Sequence, residues 1–597
     1  MKGKLLRSNC SLILLALCFC FINTSFAQPY ALITNVEGRH TTSLNGKWSY
    51  LTDPMQNGVR IKYYLDKELT NKAVYASYNF NAAETLTVPG DWSTQRPELL
   101  YYEGTIWYRK KFEYQPREGN RVFLHFGAVN YESTVYLNGE ELGKHVGGYT
   151  PFNFEITQKL REGENSLVVQ ADNKRHPEGV PESVFDWWNF GGITRPVTLI
   201  ETPGTFIRDY AFQLNRSRTN ITGRIQLDGD NSNKKLTIEI PELKVKHTVT
   251  TDAGGRAQFE IKAKPEYWSP SNPKLYAVNI ISETDNVSEE IGFRTIETQG
   301  TKVLLNGEEV FLRGANIHAQ VYGRSAWSKE DAGVLLGWAK ELGCNFLRLA
   351  HYPHSEAMIK VAEKMGIMVW EEIPVYWRID FSNNDTYVNA ENQLREIIDR
   401  DKNRANIIIW SVANETPRSE ARTKFISRLA NKAREFDASR LVSAALNGTA
   451  QIKPGTWSIE DKLINALDVI GVNQYYGWFG GTPDSLDKMK WQFDYQKPVL
   501  MTEFGASAPF GNHGDKKEKY TEECQAYYYE KTIEMIKRIP GLSGTCPWSL
   551  AEHRSPLRLM SGIEDGFSRA GLISWNGQRK KAFYVMKKYY DEFISGK

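Results

Sequence analysis

Two hydrophobic patterns divide the chain. Up to about residue 298, apolar and polar positions alternate in short runs, as in RVFLHFGAV from Arg121, STVYLNGEELG from Ser133, NSLVVQADN from Asn165 and LTIEI from Leu236. A period of two is that of a strand with one face buried. The Asn138-Gly139 pair between two such runs predicts a hairpin turn, because both residues tolerate positive φ. No long 3.6-residue period interrupts this region. Residues 28–203 are therefore expected to form a jelly-roll β-sandwich. Residues 204–298, with turn-rich stretches at Asp252–Gly255 and Ser269–Pro273, fit a smaller immunoglobulin-like sandwich.

After Gln299 the pattern changes. SKEDAGVLLGWAKELG has helical spacing, with Ser328 as N-cap and Gly343 as stop. Eight apolar runs then punctuate the chain: FLRGANI, NFLRLA, IMVWEEI, IIIWSVA, LVSAAL, VIGVNQY, PVLMTEF and LSGTCPW. Strand runs alternating with room for helices predict a C-terminal (β/α)₈ TIM barrel over residues 299–597. KKAFYVMKKYYDEFIS closes the chain as a helix, with Lys580, Lys587 and Lys588 expected on its solvated face.

A chain of 597 residues needs several domains. Residues 1–27 read as a signal peptide. Lys2, Lys4 and Arg7 precede an apolar stretch from Leu12 to Ile22, and Ser25-Phe26-Ala27 offers small residues for cleavage. Lipoprotein processing at Cys18 or Cys20 fits less well, since Leu17 and Phe19 are bulky. Export is expected, to the periplasm in a Gram-negative host, with no membrane insertion. The 74 basic and 71 acidic residues nearly cancel, which removes any bulk electrostatic case for nucleic acid. Cys344, Cys524 and Cys546 would remain after cleavage, an odd number that is no disulfide framework.

Two of the barrel runs end at a carboxylate, the fourth at Glu415 and the seventh at Glu503. Barrel active sites are built at the C-terminal ends of strands, and strands four and seven stand on opposite sides of the mouth. Two facing carboxylates are the minimum equipment for cleaving a glycosidic bond. His351 and His354 lack a third ligand at convincing spacing, so no zinc is expected, and no cofactor is required. Glu371-Glu372 at the end of strand three reads as structural support.

The motifs SLNGKW, VPGDW, GTIWYRKKF, VGGYTPF and GGITRPV precede FLRGANIH, RLAHYPHS, ANE, NQYYGW and TEFGA. In this joint order the chain resembles glycoside hydrolase family 2, which holds β-galactosidases, β-glucuronidases and β-mannosidases. The resemblance implies a retaining exo-β-glycosidase with Glu415 as acid/base and Glu503 as nucleophile. It implies that Arg348 and Tyr475 keep Glu503 ionised and that Asn414 binds the sugar 2-hydroxyl. It also implies that His318 and His351 line the pocket, that Trp548 is an aromatic wall, and that Asp186 reaches in from the N-terminal domain. Glu415 is expected to hold its proton to higher pH than an ordinary carboxylic acid. The family's glucuronidases carry Asn-x-Lys before a Gly-Leu/Ile run, where this chain has Ser568 and Ala570 flanking Arg569. Losing that ammonium puts a β-galactosidase first, with a β-glucuronidase or β-galacturonidase as the alternative. A non-catalytic glycan-binding protein is the rival of a different class. The expected partner is a glycoside or oligosaccharide, and self-association is left open.

Overall fold

The computed structural model describes residues 31–67 and 79–594. The signal-like segment 1–27 lies outside the described residues. From His40 to Pro203 two antiparallel sheets face each other. One runs Thr85–Val88, Gly46–Asp53, Thr105–Tyr114, Gly163–Asp172, Glu132–Leu137, Glu140–Val146; the other runs His40–Ser43, Val197–Pro203, Asn120–Phe126, Phe152–Glu155. Trp48, Trp92, Leu124, Phe126, Val135 and Leu167 fill the space between them. Each such large side chain contributes about 1.5–3 kcal/mol on leaving water. Asn138 and Gly139 turn the predicted hairpin, with φ of 52° and 86°.

The second sandwich packs a three-stranded sheet (Phe206–Leu214, Asn220–Asp228, Arg256–Lys262) on a four-stranded one (Val245–Thr250, Lys235–Ile240, Tyr276–Ile281, Asn286–Ile291). Strict alternation of exposed and buried residues along Arg256–Lys262 is the period-two pattern made visible.

The barrel strands are β1 (Leu312–Arg313, resuming as Asn316–Ile317), β2 (Phe346–Leu349), β3 (Met368–Glu372), β4 (Ile407–Asn414), β5 (Leu441–Leu446), β6 (Val469–Asn473), β7 (Val499–Glu503) and β8 (Leu542–Thr545). All eight predicted runs supply one. Closure falls on the broken β1: Leu312 pairs with Gly544 of β8, and Asn316 pairs with Arg348 of β2. Gly314 sits at the break, where a Cβ would come 2.6 Å from Cys546 Sγ. Helix α1 (Lys329–Leu342) starts with a Ser328–Asp331 capping box and stops at Gly343, φ 94°. Helices α2 (Glu356–Lys364), α3 (Asn384–Asp401), α4 (Glu420–Phe436), α5 (Glu522–Ile536) and α6 (Lys581–Ile594) follow.

Two departures from the expected alternation lie around β6. Its flanking connections carry 3-10 turns at Lys462–Ala466 and Pro483–Lys488, and a small sheet of Thr449–Lys453, Thr456–Ile459 and Lys490–Trp491, in place of helices. Pro454-Gly455 and Pro483 break the helical register there. Lys580 also departs from expectation. It is fully buried, its Nζ lying 2.7 Å from Glu552 Oε1 and donating to the Arg569 carbonyl at 2.9 Å. It precedes the first turn of α6 and turns under the loop that follows β8. Cys344, Cys524 and Cys546 are buried free thiols. Among the described residues no helix is long and apolar enough to cross a membrane.

Candidate active site

Every residue of β4 is buried, as expected of a parallel strand covered on both faces. Its last residue is Asn414, and Glu415 follows in a left-handed conformation, φ 49°. That conformation is strained for a residue with a Cβ and persists only where neighbours hold it. Here the Glu415 N–H donates to the Ala445 carbonyl at 2.8 Å. Trp377, in the loop after β3, is also left-handed (φ 48°), and its N–H donates to the Asn414 carbonyl at 3.0 Å. Two strained residues thus brace each other at the mouth of the barrel.

The same pair meets through side chains. Trp377 Nε1 donates to Glu415 Oε2 at 2.9 Å, and Asn473 Nδ2, from the end of β6, donates to Oε1 at 3.0 Å. Thr502 Oγ1 donates to Asn473 Oδ1 at 2.7 Å. Arg348 Nη2 can only donate, so Asn414 Oδ1 is an acceptor, and Asn473 Nδ2, 3.2 Å from it, is the donor end of its amide. Burial first, and the negative charge of Glu503 second, push the Glu415 carboxyl up to about 7. The two donors act the other way and are outweighed.

Glu503 ends β7 and is 4% exposed. Arg348 Nη1 donates to its Oε1 at 2.6 Å, and Tyr475 OH donates to its Oε2 at 2.7 Å. Arg348 is fully buried and spends its remaining donors on Glu372, Asn414 Oδ1 (2.7 Å) and Asn316 Oδ1 (3.1 Å). A buried guanidinium is tolerable only when its donors are met in this way. Glu372 also accepts from Trp370 Nε1 at 2.9 Å and pairs with His351 Nδ1 at 2.8 Å, whereas Glu371 is turned to Arg400. Burial, and then the charge of Glu503, push the Tyr475 phenol well above its ordinary value, so it remains a donor.

A cavity of about 370 Å³ receives both carboxylates. Asp186, His351 and Trp548 line it, as the resemblance implies, and so does Tyr475. His351 stacks on Trp548 with ring centroids 4.9 Å apart. Arg348 and Asn414 are bonded to each other and buried beside the two carboxylates. Asn414 Nδ2 is buried without a partner among the described residues. His318 is a correction: it is buried behind the wall, 4.0 Å from the His553 ring and edge-on to Trp548 at 5.3 Å. His318 is not among the residues that line the cavity. Burial holds the His318 imidazole well below its ordinary value. No group of three or more metal-ligating side chains is found among the described residues.

Asp186 arrives from the first sandwich. Trp187 beside it packs edge-on to Tyr376 at 5.0 Å and donates from Nε1 to Tyr149 OH at 2.9 Å. Ser555 Oγ donates to Asp186 Oδ1 at 2.5 Å, and Arg558 donates to Oδ1 from Nε at 3.2 Å and to Oδ2 from Nη2. Arg558 lines the cavity, whereas Arg569 is turned to Glu552 and Asp565. Ser568 and Ala570 also line it. Sequence reasoning missed Trp377 and Asn473. Asn473 opens the NQYYGW motif, a usable signal; Trp377 sits in a loop with no pattern of its own.

This geometry has counterparts. Residues 41–203 match the family model "Glycosyl hydrolases family 2, sugar binding domain", 205–294 "Glycosyl hydrolases family 2", and 296–539 "Glycosyl hydrolases family 2, TIM barrel domain". The chain belongs to glycoside hydrolase family 2 and is a glycoside hydrolase. A β-glucuronidase of Paenibacillus borealis is 27% identical over 91% of this chain and 94% of its own length. A β-galactosidase of Thermoanaerobacter pseudethanolicus is 33% identical, over 68% of this chain and 55% of its own. In fold, the chain superposes on a β-galacturonidase of Eisenbergiella tayi bound to galacturonate with a TM-score of 0.79, at 24% identity and covering 93% and 98% of the two chains.

Proposed function

We propose that the protein is a retaining exo-β-uronidase, releasing a terminal β-linked glucuronic or galacturonic acid. Glu503 attacks the anomeric carbon while Glu415 gives its proton to the departing glycosidic oxygen. The bond from C1 to that oxygen breaks, and an ester between the sugar and Glu503 forms. Glu415, now ionised, takes a proton from water, whose oxygen displaces Glu503 and restores both groups. A carboxyl that titrates at about 7 suits both halves of this cycle. Asn414 Nδ2, an orphaned buried donor, is matched to the sugar 2-hydroxyl, a contact that strengthens at the transition state.

The uronide replaces the β-galactoside that the missing Asn-x-Lys favours. The observation carrying it is Arg558, which alone among Arg and Lys lines the cavity among the described residues. Its bonds to Asp186 leave from Nε and Nη2, so Nη1 remains for a sugar carboxylate. The breadth of the similarity supports this too: the β-glucuronidase relative spans 91% of the chain, the β-galactosidase relative 68%. The test is a panel of p-nitrophenyl β-glucuronide, β-galacturonide and β-galactoside. A uronide is expected to react best, and Arg558→Met is expected to lower its kcat/KM at least tenfold, the loss of one charge-assisted contact. Preference for the galactoside, or indifference to Arg558→Met, would refute the uronide assignment and leave the glycosidase standing.

A further inference from the structure

A cavity of about 290 Å³ lies on the seam between the first sandwich and the barrel and shares no lining residue with the catalytic one. Asn45, His125 and Thr198 line it from the sandwich. Trp327, just before α1, and Glu356, the first residue of α2, line it from the barrel. We infer that this seam is a second, non-catalytic binding site, built for a neutral pyranose. The inference goes beyond the glycosidase reading and does not depend on which sugar is cleaved.

Three observations carry it. The first is place and size: small-ligand sites favour domain interfaces, and this cavity is at the small end of their range, about 300–1,000 Å³. The second is unspent hydrogen bonding. His125 and Thr198 are cross-strand partners, so they reach the seam side by side. Among the described residues, no hydrogen bond is made by the His125 ring, by Trp327 Nε1 or by Asn45 Nδ2. Asn45 Oδ1 already accepts from the Val197 N–H at 3.0 Å, which leaves Nδ2 as the free end. Burial pushes the His125 imidazole down to about 4, so near neutral pH it offers one donor and one acceptor. Sugar hydroxyls do both and can meet each of these groups. The half-buried Trp327 indole has no ring partner among the described residues and is free to take the C–H face of a sugar. The third is charge. Glu37 and Glu356 both pair with Lys360, at 3.2 and 2.6 Å, Asp399 pairs with Lys402 at 3.1 Å, and Arg400 with Glu371 at 2.9 Å. An ionic ligand would have to compete with these pairs, and a neutral one need not. Arg195 also lines the cavity. Its Nη2 donates to the Pro353 carbonyl of the barrel at 2.5 Å and its Nη1 to the Tyr149 carbonyl. Tyr149 OH accepts from Trp187, the neighbour of Asp186. A sugar at the seam thus ties together the two bodies that bring Asp186 to the catalytic cavity.

Glucose, galactose, mannose, xylose and N-acetylglucosamine would be titrated by calorimetry into the full chain and into Trp327→Ala, His125→Ala and Asn45→Ala. One of the sugars is expected to bind the wild type with a Kd of about 1 mM, the affinity that a ligand of this size reaches. Each variant should bind it about tenfold more weakly, the size of one hydrogen bond or ring contact. All three should keep wild-type kcat/KM on an aryl β-glycoside, which reports both their folding and an untouched catalytic cavity. The sugar should raise the melting midpoint of the wild type more than that of the variants, and should not compete with the aryl substrate. The matching trisaccharide, titrated alongside, tells the end of a glycan from a free sugar: equal binding marks the first and weaker binding the second, and either supports the site. Binding by none of the five sugars, binding that all three variants retain in full, or a bound sugar that acts only as a competitor of the aryl substrate would overturn the inference.

Discussion

Replacing Trp377 by Phe deletes one atom group that matters, the Nε1–H donated to Glu415 Oε2 at 2.9 Å, and keeps most of the ring's bulk. The donor stabilises the ionised carboxylate, so it holds the Glu415 pKa down; removing it must raise that pKa. A hydrogen bond to a charged group is worth about 1.5–3 kcal/mol, and 1.36 kcal/mol is one pKa unit, so the rise is about one to two units. Starting from about 7, the group would titrate near 8 to 9. Glu415 must be protonated to release the leaving group. The basic limb of the kcat/KM profile, which reports the free enzyme, should therefore move to higher pH by that amount. The variant would be slower near neutrality, being a weaker acid, yet would persist into alkaline buffer where the wild type has faded. The assay is kcat/KM for an aryl β-uronide across pH, with Asn473 left intact so that Oε1 keeps its donor. A basic limb that stays put or moves down would refute the claim that this indole controls the proton on Glu415. A uniform drop in rate with no shift would reduce Trp377 to a packing element.

Further outcomes follow from the same geometry. Glu503→Gln should abolish turnover while leaving substrate binding measurable by calorimetry, because the amide keeps its contacts but cannot attack. Glu415→Gln should cost poor leaving groups about 10²–10⁴ in kcat/KM and largely spare dinitrophenyl glycosides, as read from a leaving-group series. Glu552→Gln should destabilise the fold by about 3–5 kcal/mol in urea unfolding, because it strands a buried Lys580 that sits 2.7 Å from the lost charge.

The barrel was legible because parallel strands covered on both faces must be written as unbroken apolar runs, and all eight runs became strands. Glu415 and Glu503 were legible because they interrupt such runs at the end where barrels place chemistry. His318 follows a strand just as His351 does, and nothing local distinguishes them. Both are buried, and only tertiary packing separates them: His318 sits against His553 and Trp548 outside the cavity lining, whereas His351 stacks on Trp548 within it. Lys580 reads as a surface cation until Glu552 is found beneath it. The helices expected on either side of β6 gave way to turns at proline and glycine, signals that were present but weighed less than the alternation.

Period and composition alone thus determined two β-sandwiches, a barrel and the carboxylates at its mouth, since those depend on which residues must avoid water. Tertiary structure decided the rest: the donors on Glu415, the meeting of Asp186 with Arg558 across 372 positions, and the seam cavity beside His125. These are contacts between segments distant in the chain, and burial, charge and hydrogen bonding act on distance in space, which sequence order does not encode.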